Sequence, residues 1–135
     1  MAQRITIRSL DHLVLTCKSV STTSLWYSKY LGMKVEKFVS SSAPNIERVA
    51  LKFGSQKINL HQAGKEFEPK ARLPQPGSGD LCFLIGDGTD LELALKGFQN
   101  DGIPILEGGK ILPRTGAQGP IRSFYVRDPD GNLIE

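Results

Sequence analysis

Residues 10–16 alternate, with Leu13 and Leu15 on one side and His12, Val14 and Thr16 on the other, which is the two-residue period of a strand. That period assigns His12 to a definite face. Leu25, Trp26, Tyr30 and Leu31 then recur at helical spacing behind Ser21, an N-cap residue type, and Gly32 stands where a helix end favours a left-handed residue. The spacing predicts a helix over 21–31. Three further strands are expected at 34–39, 48–53 and 57–61, the last two joined through Gly54-Ser55-Gln56. From Ala63 to Gly79 the composition turns to Lys, Glu, Pro and Gly with no apolar period, and Phe67 is the only large apolar residue early in this connector. The second half then predicts a strand at 80–85, a helix at 91–101 closed by Gly102, a strand at 105–112, a glycine-rich mobile loop at 113–120, a strand at 121–127 and a last strand ending on Glu135.

Both halves read βαβββ. Asp11-His12-Leu13-Val14-Leu15 falls on Gly79-Asp80-Leu81-Cys82-Phe83, and Leu31-Gly32-Met33 falls on Asp101-Gly102-Ile103. The expected fold class is α+β: two tandem βαβββ modules forming a curved mixed sheet around one cleft. The boundaries are about 9–62 for module one, 63–79 for the connector and 80–135 for module two, all within a single domain spanning 1–135. Near the end, Asp128-Pro129-Asp130-Gly131 is a tight-turn sequence, with Pro129 presetting φ and Gly131 supplying the left-handed position. The turn aims a short strand that ends on the Glu135 carboxylate.

Composition narrows the function. The 135 residues carry 17 Lys and Arg against 14 Asp and Glu, a formal charge of +3, and the cations are scattered rather than interleaved with aromatics. Nucleic acid is therefore not an expected partner. No run reaches the length of a membrane helix, and MAQRITIRSL lacks the apolar core and cleavage site of a signal peptide, so a soluble, cytoplasmic protein is expected. Cys17 and Cys82 are too few for a disulfide framework and read as small buried apolar residues in a reducing compartment.

If the halves are equivalent, His12 and Asp80 hold the same place on the first strand of each module, and Glu135 ends the last strand of the second. Three candidate metal ligands then face one cleft. Each also has a plainer reading, as a hydrogen-bonded histidine, a turn aspartate and a solvated strand end; duplication and turn geometry arriving at the same place favour the cleft. The module-one counterpart of Glu135 falls near Asn59 to His61, which share a strand face. Arg114 suits an anionic group of a substrate, although loop arginines more often only solubilise.

LDHLVLTCKSV, LWYSKYLGM and SFYVRDPDGNLIE together resemble the vicinal oxygen chelate superfamily of glyoxalases, fosfomycin-resistance proteins, bleomycin-binding proteins and extradiol dioxygenases. The likeness covers nearly the whole chain. FGSQKINLH, GKEFEPKA and PRTGAQGP bring it close to the glyoxalase domain-containing protein five group. The resemblance implies that His12 matches the first-strand ligand of fosfomycin-resistance enzymes and Glu135 the glutamate ligand common to metal-binding members. Asp80 stands where those families carry a second histidine, and Asn59 where glyoxalase I carries an additional glutamate; both are departures. By the same resemblance Tyr125 matches a substrate-touching tyrosine, and His61 is a candidate compensating ligand, catalytic group or substrate contact.

One imidazole with two carboxylates is a hard set that favours a divalent Mn, Mg or Fe ion, with Zn or Ni possible. The expected function is a small metalloenzyme that binds a substrate with adjacent oxygens and stabilises an enolate or alkoxide, through glyoxalase-like lyase or isomerase chemistry or fosfomycin-resistance-like transferase or hydrolase chemistry. Glu135 and His61 are the expected catalytic groups, and Tyr125, Arg114 and Asn59 the substrate contacts. The alternative is a metal-free protein of the bleomycin-resistance type that sequesters a small molecule. Oxygen-dependent ring cleavage is disfavoured, since such iron sites use two histidines and one carboxylate. The resemblance further implies a homodimer.

Overall fold

Two units divide the chain, Met1–Pro74 and Gln75–Glu135. The computed structural model describes residues 3–135; Met1 and Ala2, which open the segment read above as lacking a signal peptide, lie outside the described residues.

In the first unit the order is β1 (His12–Cys17), α1 (Val20–Leu31), β2 (Lys34–Ser40), β3 (Ala43–Phe53) and β4 (Gln56–Gln62), the βαβββ order read from the sequence. The sheet runs β1-β4-β3-β2, with β1 parallel to β4 and the other pairs antiparallel. Leu15, Cys17, Leu51, Ile58 and Leu60 are buried, and α1 packs on β2, β3 and β4. The helix differs in detail from expectation. Its N-cap is Ser19, whose side chain accepts from the Thr22 amide, and Ser21 instead bonds the Ser19 hydroxyl. Its buried stripe is Thr23, Ser24 and Tyr27, while Leu25 is 70% exposed. Small residues at 23 and 24 let the helix axis approach the sheet, and Tyr27 fills the gap one turn on. Gly32 closes the helix at φ 64, as its position in the sequence required. Strand β3 begins five residues earlier than predicted, at Ala43; the register breaks between Val39 and Ser40, so Pro44 lies in a bulged stretch where its missing N–H leaves no ladder bond broken.

The second unit contains β5 (Asp80–Leu81), α2 (Leu91–Asn100), the short kinked helix α3 (Leu106–Gly109), β6 (Leu112–Gly116), β7 (Gly119–Ser123), β8 (Val126–Arg127) and β9 (Leu133–Ile134). Strand β5 pairs parallel with β9, β9 antiparallel with β8, and β6 antiparallel with β7. The first-to-last parallel pairing of the first unit thus recurs, and β7 with β8 takes the part of one long strand interrupted at Phe124-Tyr125. Asp90 caps α2 through the Leu93 amide, and Leu95, Phe98, Val126 and Ile134 are the buried apolar residues of this unit.

Three expectations for this half are corrected. The segment 105–112 is not a strand: Glu107 at φ 52 and Gly108 at φ 80 turn the chain back, and the Leu106 amide donates to the Tyr125 carbonyl, which is where the long strand breaks. The segment 113–120 is not a loose loop; it forms the paired arms of the β6–β7 hairpin, with a turn at Ala117-Gln118. The strand at 80–85 is regular only over Asp80–Leu81, although the Phe83 amide still donates to the Glu135 carbonyl.

The turn before β9 matches its sequence. The Gly131 amide donates to the Asp128 carbonyl at 3.0 Å, and Gly131 takes φ 91, which a side chain would resist. Asp128 Oδ1 accepts from the Asp130 and Asn132 amides, each at 2.9 Å, and Asp128 Oδ2 accepts from Asn132 Nδ2 at 2.8 Å. Asn132 in turn accepts from the Gly79 amide at 2.7 Å, tying the turn to the residue before β5. Among the described residues no helix is long and apolar enough to cross a membrane.

Candidate functional site

Within the second unit, Asp80, Leu106, Glu107, Arg114, Tyr125, Arg127, Leu133 and Glu135 line one pocket of about 340 Å³. The pairings explain the convergence. Leu81 is opposite Ile134 in the parallel ladder, so Asp80 and Cys82 flank it on one face and Glu135 follows β9 onto that face. The Glu135 amide donates to the Leu81 carbonyl at 2.8 Å, which fixes the carboxylate from its own backbone. Arg114 lies on β6 and Tyr125 at the break between β7 and β8. Arg114 Nε donates to the Tyr125 hydroxyl at 3.0 Å, and the guanidinium carbon is 5.5 Å from the ring centroid.

Sequence reasoning did not single out two residues here. Ser123 Oγ donates to Glu135 Oε2 at 2.5 Å, a short charge-assisted bond to a carboxylate. Cys82, expected to be buried, is exposed, and its thiol is held above its ordinary value by partial burial first, then by the charge and hydrogen bond of Glu135, then by Asp80. A thiol raised this way is a poor thiolate, which argues against a cysteine nucleophile. The period of two from Asp80 was the available signal for Cys82; nothing local marked Ser123.

The other candidates belong to the first unit. His12 Nδ1 is 2.8 Å from Asp11 Oδ1, and this hydrogen bond is the main cause of the lowered Asp11 carboxyl. Asp11 thus engages Nδ1 and leaves Nε2 as the other ring nitrogen, the arrangement by which a carboxylate orients a ligating histidine. His61 is buried on β4, edge-on to Phe67 at 5.1 Å. Burial, then the Arg48 charge, lower its imidazole from the usual value, with Glu66 acting the other way. Asn59, two residues earlier, has a buried Oδ1 without a hydrogen-bond partner among the described residues.

His61 yields a pH prediction. The folded chain holds the imidazole below its unfolded value, so as pH falls the unfolded chain takes the proton first. Stability then drops from about pH 6.5 downward. Thermal melts of the parent and His61→Gln from about pH 7.5 to about pH 5 are expected to show a smaller loss of Tm in the variant. Parallel curves would mean that His61 contributes no such dependence.

Within either unit, among the described residues, no three His, Cys, Asp or Glu side chains gather closely enough to hold a cation by themselves. The second unit supplies two hard oxygen donors, Asp80 and Glu135, to one polar pocket. That donor chemistry fits part of a divalent cation's shell and leaves further positions to be filled from elsewhere.

The family model described as the Glyoxalase/Bleomycin resistance protein/Dioxygenase superfamily matches residues 9–135. The chain belongs to this superfamily. Glyoxalase domain-containing protein RDO1 of Mycosarcoma maydis is 55% identical over 133 residues, covering 98% of this chain and 69% of that protein. Virulence protein STM3117 of Salmonella typhimurium is 49% identical over 129 residues, covering 96% of this chain and 83% of that protein. The STM3117 crystal structure aligns with a TM-score of 0.84 over 96% of this superfamily member and 95% of that chain, at 47% identity. A structure from the mobile metagenome of V. Pseudocholerae, VPC_CASS1, aligns with a TM-score of 0.85 at 53% identity, over 98% of this chain and 95% of that one. The glyoxalase-like α+β fold inferred from the sequence is thereby shown.

Proposed function

We propose that this protein is a small divalent-metal-dependent enzyme acting on a substrate with adjacent oxygens, with lyase or isomerase chemistry of the glyoxalase kind. The observation that carries the reading is the pocket in which Asp80 and Glu135 lie with the Arg114–Tyr125 pair. In this proposal Asp80 and Glu135 are two oxygen ligands of the cation in the second unit's pocket, and His12 is a further proposed ligand, to be tested by its own substitution. Mn, Mg or Fe suits one imidazole and two carboxylates. When bound, such an ion supplies Lewis-acid stabilisation of a developing enolate or alkoxide.

The protein's own groups do the rest. Arg114, its Nε spent on the Tyr125 hydroxyl and one Nη on the Pro113 carbonyl, is oriented to present its remaining N–H groups to an anionic arm. The Tyr125 hydroxyl, having accepted from Arg114, retains its proton to donate to a substrate oxygen. Ser123 holds Glu135 Oε2, so a proton arriving at that oxygen has a relay partner already in hydrogen-bond contact. His61, kept uncharged near neutrality, is the proposed second proton carrier, and Asn59 a substrate contact.

Metal analysis of protein purified without chelator tests the reading. About one equivalent of divalent metal is expected in the parent, and its loss in both His12→Ala and Glu135→Ala. A parent that binds no added Mn²⁺ yet still binds small molecules would instead favour a sequestering protein, the reading kept alive by Asp80 and Asn59 at ligand positions.

A further inference from the structure

The sheet face of the first unit opposite α1 sets Arg48, a residue with no part in the reading above, beside Asn59 and His61, which that reading does use. Ala50 is opposite Asn59 and Val49 opposite Leu60, so Arg48 comes next on the face of Ala50, beside His61 on the face of Asn59. Phe38 is opposite Arg48 on the other side, and Val14 and Thr16 of β1 are level with Asn59 and His61. Over this face lies Phe67 from the connector. The Arg48 guanidinium stacks 4.2 Å from the Phe67 centroid, and the same ring meets His61 edge-on.

Two buried polar atoms on this face have no hydrogen-bond partner among the described residues: Arg48 Nε, a donor, and Asn59 Oδ1, an acceptor. Leaving both unpaired out of water is unfavourable, and native structures fill such positions with solvent or a ligand. The pair asks for one acceptor and one donor a short distance apart. A guanidinium whose plane is fixed by an aromatic ring matches a planar carboxylate better than a tetrahedral anion. The Asn59 oxygen disfavours a fully deprotonated phosphate, which has no proton to give it. Lys57, whose ammonium sits 4.4 Å over the Phe38 ring, adds positive charge, while Lys52 on the neighbouring strand is paired with Glu36.

We propose that this face is a subsite for a small carboxylate with a hydroxyl or N–H on the adjacent atom, the carboxylate taken by Arg48 and the adjacent donor by Asn59 Oδ1. It rests on the preceding reading in taking the ligand to be a small molecule with adjacent oxygens and Asn59 to be one of its contacts. Phe67 is a positioning residue: it holds the guanidinium plane. His61 closes the side of the subsite along β4.

The test uses ¹⁵N-labelled full-length protein titrated with glycolate and with acetate, once with EDTA and once with Mn²⁺, following the Arg48 Nε–H resonance. Glycolate is expected to move that resonance in EDTA and to bind about tenfold more tightly than acetate, because only glycolate satisfies Asn59. Asn59→Leu is expected to erase that preference. Arg48→Lys, which keeps the charge but loses the stacked fork, is expected to weaken glycolate binding about tenfold. An unmoved Nε–H, or a variant pair with parental affinity and preference, overturns the subsite. Should Arg48→Lys fail to fold, the parent resonance and Asn59→Leu decide alone. Mn²⁺ binding is read separately from water relaxation, so its absence would sink the metal reading and leave the subsite standing.

Discussion

Asp128→Ala is expected to cost the fold about 3–5 kcal/mol, a loss at the upper end for single substitutions. Asp128 is 5% exposed, and its carboxylate accepts hydrogen bonds from the Asp130 and Asn132 amides and from the Asn132 side chain. Truncation leaves those donors buried without partners, and each orphaned group costs about 1–3 kcal/mol. Asn132 itself is 2% exposed and passes the constraint on to Gly79. The strand that leads to Glu135 begins directly after this cage, so on the proposed metal reading Asp128→Ala would also lower metal affinity. Asp128→Asn, which keeps one acceptor oxygen, should lose less than half as much. Urea unfolding monitored by circular dichroism measures all three chains, and a loss under about 1 kcal/mol for alanine would show that the cage does not hold the turn.

Gly77→Ala is expected to cost about 3 kcal/mol at the same corner. Gly77 has φ +82, and a Cβ there would lie 2.6 Å from the Asp130 carbonyl oxygen. The obstructing atom is backbone, so no side-chain rotation relieves it. Gly32 provides the comparison: at φ +64 a Cβ added to it would meet nothing within 4 Å among the described residues, so Gly32→Ala faces conformational strain alone, about 1 kcal/mol. Because Gly77 and Asp128 act on one turn, the double variant Gly77→Ala, Asp128→Ala should lose less than the sum of the two. Equal costs for Gly77→Ala and Gly32→Ala would refute the close-approach explanation.

Local pattern carried much of the fold. The period of two in β1 and β4, the Gly32 cap and the Asp128–Gly131 turn are properties of neighbouring residues, and each was legible. Failures came where apolar content misled or where pairing decided. Ile105, Leu106, Ile111 and Leu112 looked like a strand, yet the Gly108-Gly109 pair in their midst was the stronger signal and the chain turns back there. Leu25 looked like core and faces solvent, because the small Thr23 and Ser24 set which side of α1 meets the sheet.

At the site, Asp80, Arg114, Tyr125 and Glu135 were named from sequence and line one pocket. Ser123 and Arg48 were not named, since a serine in one strand gains meaning only from the carboxylate on another, and Arg48 only from Phe67 arriving over it. Cross-strand register is invisible in a single sequence until the pairing partners are known.

The Ser123 hydroxyl has a last consequence, for ion choice. With Oε2 engaged by Ser123, Glu135 would have its other oxygen, a single tooth, left to offer an ion of the kind proposed above. Calcium draws much of its affinity from glutamates that grip it with both oxygens, whereas magnesium and manganese accept one oxygen apiece in a six-cornered shell. Swapping Ser123 for alanine would free the second tooth and tilt the preference toward the larger ion.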